Sequence, residues 1–367
     1  MRLSRWAVVA LVAALPLSAC EELTGLGNDP DAPTNLTYQL IPSGDPATPS
    51  GVLLTWEIPR SGRVSAFNVY GRLNGENWLL RATTTSPSYH DVGAPDDQYY
   101  VASRDDGGDE LSQSNTITID RTTKLPAPQA LASISLNGAI QLTWASNAIT
   151  GSNGLFDHYR VYSTDYDGTR GVCTTNWTLE GSTVSDSFLA GNLPNGTSRC
   201  FAVSAVSHDG HESAWSDLRL DTPRIDARNA FVYPSAVKSD SAGFLFLDES
   251  TKHTGVVSSS ARTDLDFTLE RHSDGSLWFT PARTGVTLTL YSLKPVSDLT
   301  AVDSAPSTGF GTSAIEVLPG FAYVFRVQKA DGIHFAAIRV AFTTSDYAVF
   351  DWAYQNGPGN PELSRMP

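Results

Sequence analysis

The stretch SHDGHES at 207–213 sets His208 and His211 three residues apart, flanked by Asp209 and Glu212, all side-chain types that hold zinc. Two histidines without a third well-placed ligand make a thin zinc site, and Asp209-Gly210 is a hairpin signal, so the stretch reads first as a turn between strands. Further along, Asp248, Glu249, Asp264, Asp266 and Glu270 are the carboxylates from which a glycoside-cleaving pair would have to be drawn. Asp248 and Glu249 are adjacent, so on a strand they point to opposite faces, whereas Asp264 and Asp266 share one. The chain has no Gly-x-Ser-x-Gly turn, His-Glu-x-x-His pair or phosphate-cradling glycine loop. A non-enzymatic protein without metal or cofactor is the expectation. Aromatic side chains are the better binding candidates: Trp278, Tyr291, Tyr323, Trp352 and Tyr354 fall on predicted strands, where rings either stack on sugars and peptides or fill a core. By alternation Phe350, Trp352 and Tyr354 share one face. If that face points inward, the stripe is core and Asp351, on the opposite face, is exposed.

Holding such side chains requires strands, and the chain repeats a strand module. GVLLTWEIP (51–59) matches AIQLTWASN (139–147), FNVYGR (67–72) matches YRVYST (159–164), and YYVASRDDGGDELSQSN (99–115) matches FAVSAVSHDGHESAWSD (201–217). The copies are roughly 90 residues apart, a usual size for a sandwich domain. Val52, Leu54 and Trp56 alternate on one face, as do Ile140, Leu142 and Trp144, which is the period of half-buried strands. Turn signals such as LNGEN (73–77) and DYDGTRG (165–171) separate them. Beyond a linker at 222–229, eight strand-like runs start at 230, 243, 266, 276, 285, 321, 334 and 347, interrupted by the Gly-, Pro- and Ser-rich loop 297–314. Loops of that length in compact domains are often functional or mobile.

The proline-led starts (DAPTNLTYQL, LPAPQALASI), the LTW and VY strands and the closing DG-x-ES-xx-S turn together resemble fibronectin type III domains, over 31–121 and 124–223. The resemblance implies two tandem β-sandwiches, each of about seven strands, followed by a third antiparallel β-rich domain at 226–367; the fold class is all-β. It also implies a tyrosine corner near Arg199 in the second copy, where no tyrosine stands; the first copy is clipped near GAPDDQYY (93–100), leaving its register there open. A Cys173–Cys200 staple in the second copy would offset that loss; two buried free thiols are the alternative. The segment DGIHFAAIRV, with the run to residue 362, faintly resembles surface lipoproteins of which some bind haem, for which His253, His272 and His334 are the available ligands.

Residues 1–20, MRLSRWAVVALVAALPLSAC, have the charge and apolar run of a secretion signal too short to span a bilayer, and LSAC resembles the bacterial lipobox. The resemblance makes Cys20 the lipidated first mature residue, with Glu21 favouring the outer membrane or cell surface, and residues 21–30 a polar tether. Loss of Arg2 and Arg5 with the leader takes the formal net charge from −14 to −16. Such an acidic chain does not suit nucleic acid. The expected partners are the membrane, through the lipid, and a polysaccharide or an envelope or extracellular protein. The expected role is binding, adhesion or scaffolding with the modules as a stalk; the alternatives are a polysaccharide-active accessory or catalytic protein and a haem-binding surface lipoprotein.

Overall fold

Alternating apolar residues and Gly- and Asn-containing turns make antiparallel strands almost the only regular structure of the described residues, in a computed structural model describing residues 29–45, 47–122 and 124–364. Cys20 and the leader lie outside the described residues. No helix among the described residues is long and apolar enough to cross a membrane. The described residues divide into two compact units, 29–41 with 49–120, and 42–48 with 121–364.

The first unit places β1 (Thr34–Ile41), β2 (Gly51–Glu57) and β5 (Ser88–Val92) in one sheet. The facing sheet takes β4 (Leu79–Thr84), β3 (Ala66–Arg72), β6 (Gln98–Arg104) and β7 (Glu110–Gln113), with β8 (Ile117–Thr118) also on β6. This two-sheet sandwich is the architecture that the fibronectin-like motifs imply. Val52, Leu54 and Trp56 pack inward as their alternation requires, and Trp56 meets Phe67 edge-on at 5.4 Å. The corner left open near residue 99 is built by Tyr99: its buried hydroxyl donates to the Asp91 carboxylate (2.6 Å) and accepts the Asp96 N–H (2.7 Å).

The second unit repeats the plan with β9 (Ala132–Leu136), β10 (Ala139–Thr143) and β14 (Ser187–Ala190) against β12 (Val172–Cys173), β11 (Phe156–Asp167), β15 (Arg199–Ser207) and β16 (Arg219–Asp221), with β13 (Thr178–Thr183) also on β11. Trp144 meets Tyr159 at 5.2 Å in the position of the Trp56–Phe67 pair. Phe201 occupies the place of Tyr99 and brings no hydroxyl. Next to it Cys200 is bonded to Cys173, with Cα atoms 5.9 Å apart, so these thiols are joined rather than free.

The same unit contains a second sandwich, the C-terminal one. One sheet runs β17 (Ile225–Val232), β26 (Ala348–Gln355), β25 (Ile333–Thr343), β24 (Ala322–Gln328), β22 (Val286–Leu290); the other runs β19 (Thr254–Ser258), β18 (Gly243–Leu247), β20 (Phe267–Arg271), β21 (Leu277–Pro281), β23 (Ile315–Glu316). Six fully buried phenylalanines, at 244, 246, 267, 279, 325 and 350, interlock between the sheets. All eight strand runs expected from alternation are present, and β19 and β23 are additional. Gly255 in β19 is at φ +63°, and a Cβ there would lie 2.3 Å from the Trp352 ring, so only glycine lets this edge close over the core. Residues 225–229, expected to be linker, belong to β17, which pairs with β26 through a register shift next to Asn229 at φ +58°.

Candidate ligand-binding site

The histidine stretch is a turn. Gly210 sits at φ +83°, its N–H donates to the Ser207 carbonyl (2.8 Å), and Gly108 at φ +95° makes the corresponding turn in the first unit. The two imidazoles go separate ways, the exposed His208 to Asp157 (3.0 Å) and the buried His211 to Asp209 (2.9 Å). Partial burial of Asp209 opposes its ionisation, but hydrogen bonds from Lys124, Ser207 and His211 hold its carboxyl below the usual range. Glu212 is buried and accepts the Tyr162 and Ser204 hydroxyls at 2.6 and 2.5 Å. Two serines then continue the pairing. Ser213 and Ser216 accept the Ala205 and Val203 N–H groups with their hydroxyls (2.9 and 3.1 Å). No group of three metal-ligating side chains occurs among the described residues.

The carboxylates singled out for catalysis hold loops and strands. Asp266 is fully buried, accepting the Phe246 N–H and the Arg283 guanidinium, both at 2.9 Å. Asp248 accepts the N–H of Ser250 (2.9 Å) and pairs with Arg262 (2.9 Å), which also engages Asp264. Glu249 pairs with Lys252 at 2.8 Å. Asp248 and Asp264 meet at the Arg262 guanidinium, and Glu270 lies on β20 opposite Trp278 of β21. Of the histidines considered for haem, His334 is buried with Nδ1 on the Gln355 carbonyl (3.1 Å) and Nε2 on Asp331 (2.9 Å), so neither nitrogen is open to a metal. His272 stacks on Trp278 at 4.6 Å, and His253 is exposed.

Of the two readings of the aromatic side chains, the core one holds for three of the five candidates. Tyr323 and Tyr354 are fully buried and Trp352 is 3% exposed, so these three rings fill the space between the sheets and present nothing to a ligand. Burial also pushes the Tyr323 hydroxyl up to about 12. Tyr291 is half-buried, its hydroxyl accepting the Asp303 N–H at 3.2 Å. Trp278 is half-buried against His272 and donates through its indole N–H to Ser276 (2.7 Å). Asp351, expected in solvent, is only 7% exposed and meets Arg228 at 3.2 Å. The reason lies above it: the outer face of that sheet is itself covered.

Its cover is the long loop. Leu299, Val302 and Ala305 from the loop, with Leu363 from the tail, pack on Val324, Ala337 and Ala353 as a second small core. Asp298 caps the start, accepting the Thr300 N–H (2.9 Å) and two guanidinium hydrogens of Arg228 (2.9 and 3.1 Å). Burial works against ionisation of Asp298, but Arg228 and Thr300 draw its carboxyl below the usual range. Gly311 exchanges two 3.0 Å backbone hydrogen bonds with Leu288 of β22, and Ala305 N–H donates to the Pro361 carbonyl (2.8 Å). Thus pinned, the loop is a wall.

Between this wall, β24–β25 and the tail lies an open cavity of about 370 Å³ lined by Pro306, Phe310, Arg326, Ile333, Phe335 and Pro361 among others. Phe310 and Phe335 stand 6.2 Å apart, tilted by 48°, as an apolar floor. Arg326 is exposed beside Phe335 and, among the described residues, has no hydrogen-bond or ion-pair partner. The other arginines of this sandwich (228, 262, 271, 283 and 339) each engage a carboxylate or carbonyl. An unpaired guanidinium at an apolar cavity is a fork of donors matched to a carboxylate. Sequence reasoning missed it because one arginine on a strand looks like any solvent-facing residue; the only pointer was the loop.

No family model matches the chain, and no curated protein matches it. Among solved structures, an Fn3-like protein from Clostridium thermocellum is 20% identical over 29% of this chain and 100% of that one, with a TM-score of 0.21. A DUF4466 family protein from Parabacteroides merdae ATCC 43184 is 13% identical over 63% of this chain and 99% of its own, with a TM-score of 0.31. A structure described as a myokine is 20% identical over 27% and 99%, with a TM-score of 0.22. Likenesses at these scores carry no functional argument; the all-β fold rests on the strands themselves.

Proposed function

We propose that this chain is a lipid-anchored, non-enzymatic binding protein of the outer membrane or cell surface, in which two fibronectin-like modules serve as a spacer for a C-terminal sandwich that takes a carboxylate-bearing ligand. The address is supported by the lipobox-like leader ending at Cys20 and by the Cys173–Cys200 disulfide, a bond that persists in oxidising, extracytoplasmic compartments. The observation that carries the binding reading is the cavity over Phe310 and Phe335 with Arg326 unpaired at it. In a chain of net charge −14, that guanidinium is a local cation with no acidic side chain bound to it among the described residues.

The test uses residues 21–367, which lack the leader and Cys20 and therefore carry no lipid, in pull-downs on peptidoglycan and on insoluble polysaccharides with and without uronic acids. Retention is expected on carboxylate-bearing material. Arg326→Gln should weaken it by roughly 10- to 100-fold, the worth of a charge-assisted contact of about 1.5–3 kcal/mol. Absence of retention on every matrix, or retention unchanged by Arg326→Gln, would overturn the reading.

A further inference from the structure

The seam between the second and C-terminal sandwiches is closed by the chain's own tail, and it buries two acids together. Strand β9 is the edge of its sheet, and its free side is taken up by later parts of the chain. Ser135 N–H donates to the Ser364 carbonyl (2.8 Å) and Arg224 N–H to the Leu136 carbonyl (3.2 Å). The tail is held from its other end as well, with Asn356 donating to the Asn195 carbonyl (2.9 Å) and Gln355 to the Glu362 carbonyl (3.2 Å). Inside this strap Asp221 and Glu362 are both 0% exposed and lie against one another. They also share the single Ser135 hydroxyl, at 2.5 and 3.2 Å. Thr222 contributes its N–H to Asp221 (2.6 Å), and its hydroxyl is paired with that of Ser198 (2.8 Å).

The charges at the seam do not balance if both acids are ionised. From the linker comes Arg224, itself 0% exposed, but its guanidinium is engaged by Asp226 of β17 (2.9 Å) and the Ser364 hydroxyl (3.1 Å). Arg219 of β16 turns to Ser133 (2.7 Å), Arg228 is paired with Asp298 and Asp351, and Asp303 of the loop is exposed and adds no cation. Strand β9 offers only serines. One oxygen of each acid, Oδ2 of Asp221 and Oε2 of Glu362, is buried without a hydrogen-bond donor. Two bare carboxylates in one dry site repel and are poorly solvated, whereas one proton between them supplies what both orphan oxygens lack.

We infer that the seam is a proton-held clasp: Glu362 is carried as the carboxylic acid, shares its proton with Asp221, and the tail loosens from the second sandwich when that proton is lost. Burial first, and Asp221 second, push the Glu362 carboxyl up to about 9 from an ordinary value of 4.5. Because the closed form binds the proton more tightly than the open one, the clasp is strongest below the ordinary value. It weakens as pH rises through the closed-state value.

Hydrogen exchange of residues 132–136 and 356–364 in the intact chain, corrected for intrinsic rates, reads the clasp directly. Between pH 5 and 9 the wild-type opening constant should climb by up to tenfold per pH unit, the limit for one released proton. Glu362→Gln keeps a donor for Asp221 and cannot ionise, so its profile should be flat and its protection at pH 5 near wild type. A Glu362→Gln profile parallel to the wild type would overturn the inference. The ¹³C carboxyl titration of wild-type Glu362 needs no variant: a shift that tracks an elevated midpoint supports the clasp, and titration at the ordinary glutamate value refutes it.

Discussion

Replacing Cys173 and Cys200 together by alanine removes the one covalent cross-link among the described residues and should loosen the second sandwich by an amount set by loop length. The bond closes 27 residues, and the entropy that this takes from the unfolded chain is worth about 3.5 kcal/mol at 25 °C. Cys200 is fully buried on β15 beside Phe201, so the variant also loses sulfur packing in the core, which adds to the loss. Since about 1.4 kcal/mol is tenfold in an equilibrium constant, amides of β11 and β15 that exchange by opening of this sandwich should exchange roughly 300-fold faster. The assay is hydrogen exchange with mass spectrometry on peptides covering 156–167 and 199–207, with β3 and β6 of the first unit as the internal reference. Wild-type protein treated with a thiol reductant should move in the same direction as the variant. Less than tenfold acceleration in both would refute the reasoning, because the bond would then constrain a loop that the unfolded chain already keeps closed.

The first unit has no disulfide and leans on its corner instead, so Tyr99→Phe, which deletes a hydroxyl bonded to Asp91 and to the Asp96 N–H, should cost about 1.5–3 kcal/mol in urea unfolding of that unit. A loss below about 0.5 kcal/mol would show that the corner is not a support. Cys20→Ser in the full-length chain should shift the protein from the membrane to the soluble fraction on cell fractionation; persistence in the membrane fraction would remove the lipid from the account of its address.

Much of the architecture was legible because period-two alternation is a direct consequence of strand geometry, and because Trp56 and Trp144 mark the same place in two copies. The eight C-terminal runs were legible for the same reason. What escaped was short or one-sided: β19 holds a glycine that a pattern reading takes for a turn, and β23 is two residues long. The polar run IDARN looked like linker, yet it pairs with β26 around a register shift. Alternation also cannot say whether the second face of a sheet meets water. The signal for a doubly covered strand was present in the near-continuous apolar runs FAAIRVAF and AVFDWAY, which exceed what one buried face needs. Read that way, Asp351 would have been placed under a cover, and the loop 297–314 would have been identified as that cover.

The strap also sets an order of events in time. The Ser135 hydroxyl meets Glu362, 227 residues later in the chain. At about 5–20 residues per second of synthesis, β9 is complete roughly 10–45 s before the segment that covers its edge exists. During that interval the second sandwich can assemble its sheets and its disulfide, but the β9 edge is open to any passing strand. Under the clasp inferred above, the site around Asp221 is completed only when Glu362 arrives. A chain that stops before Glu362 would therefore leave the β9 edge unsealed.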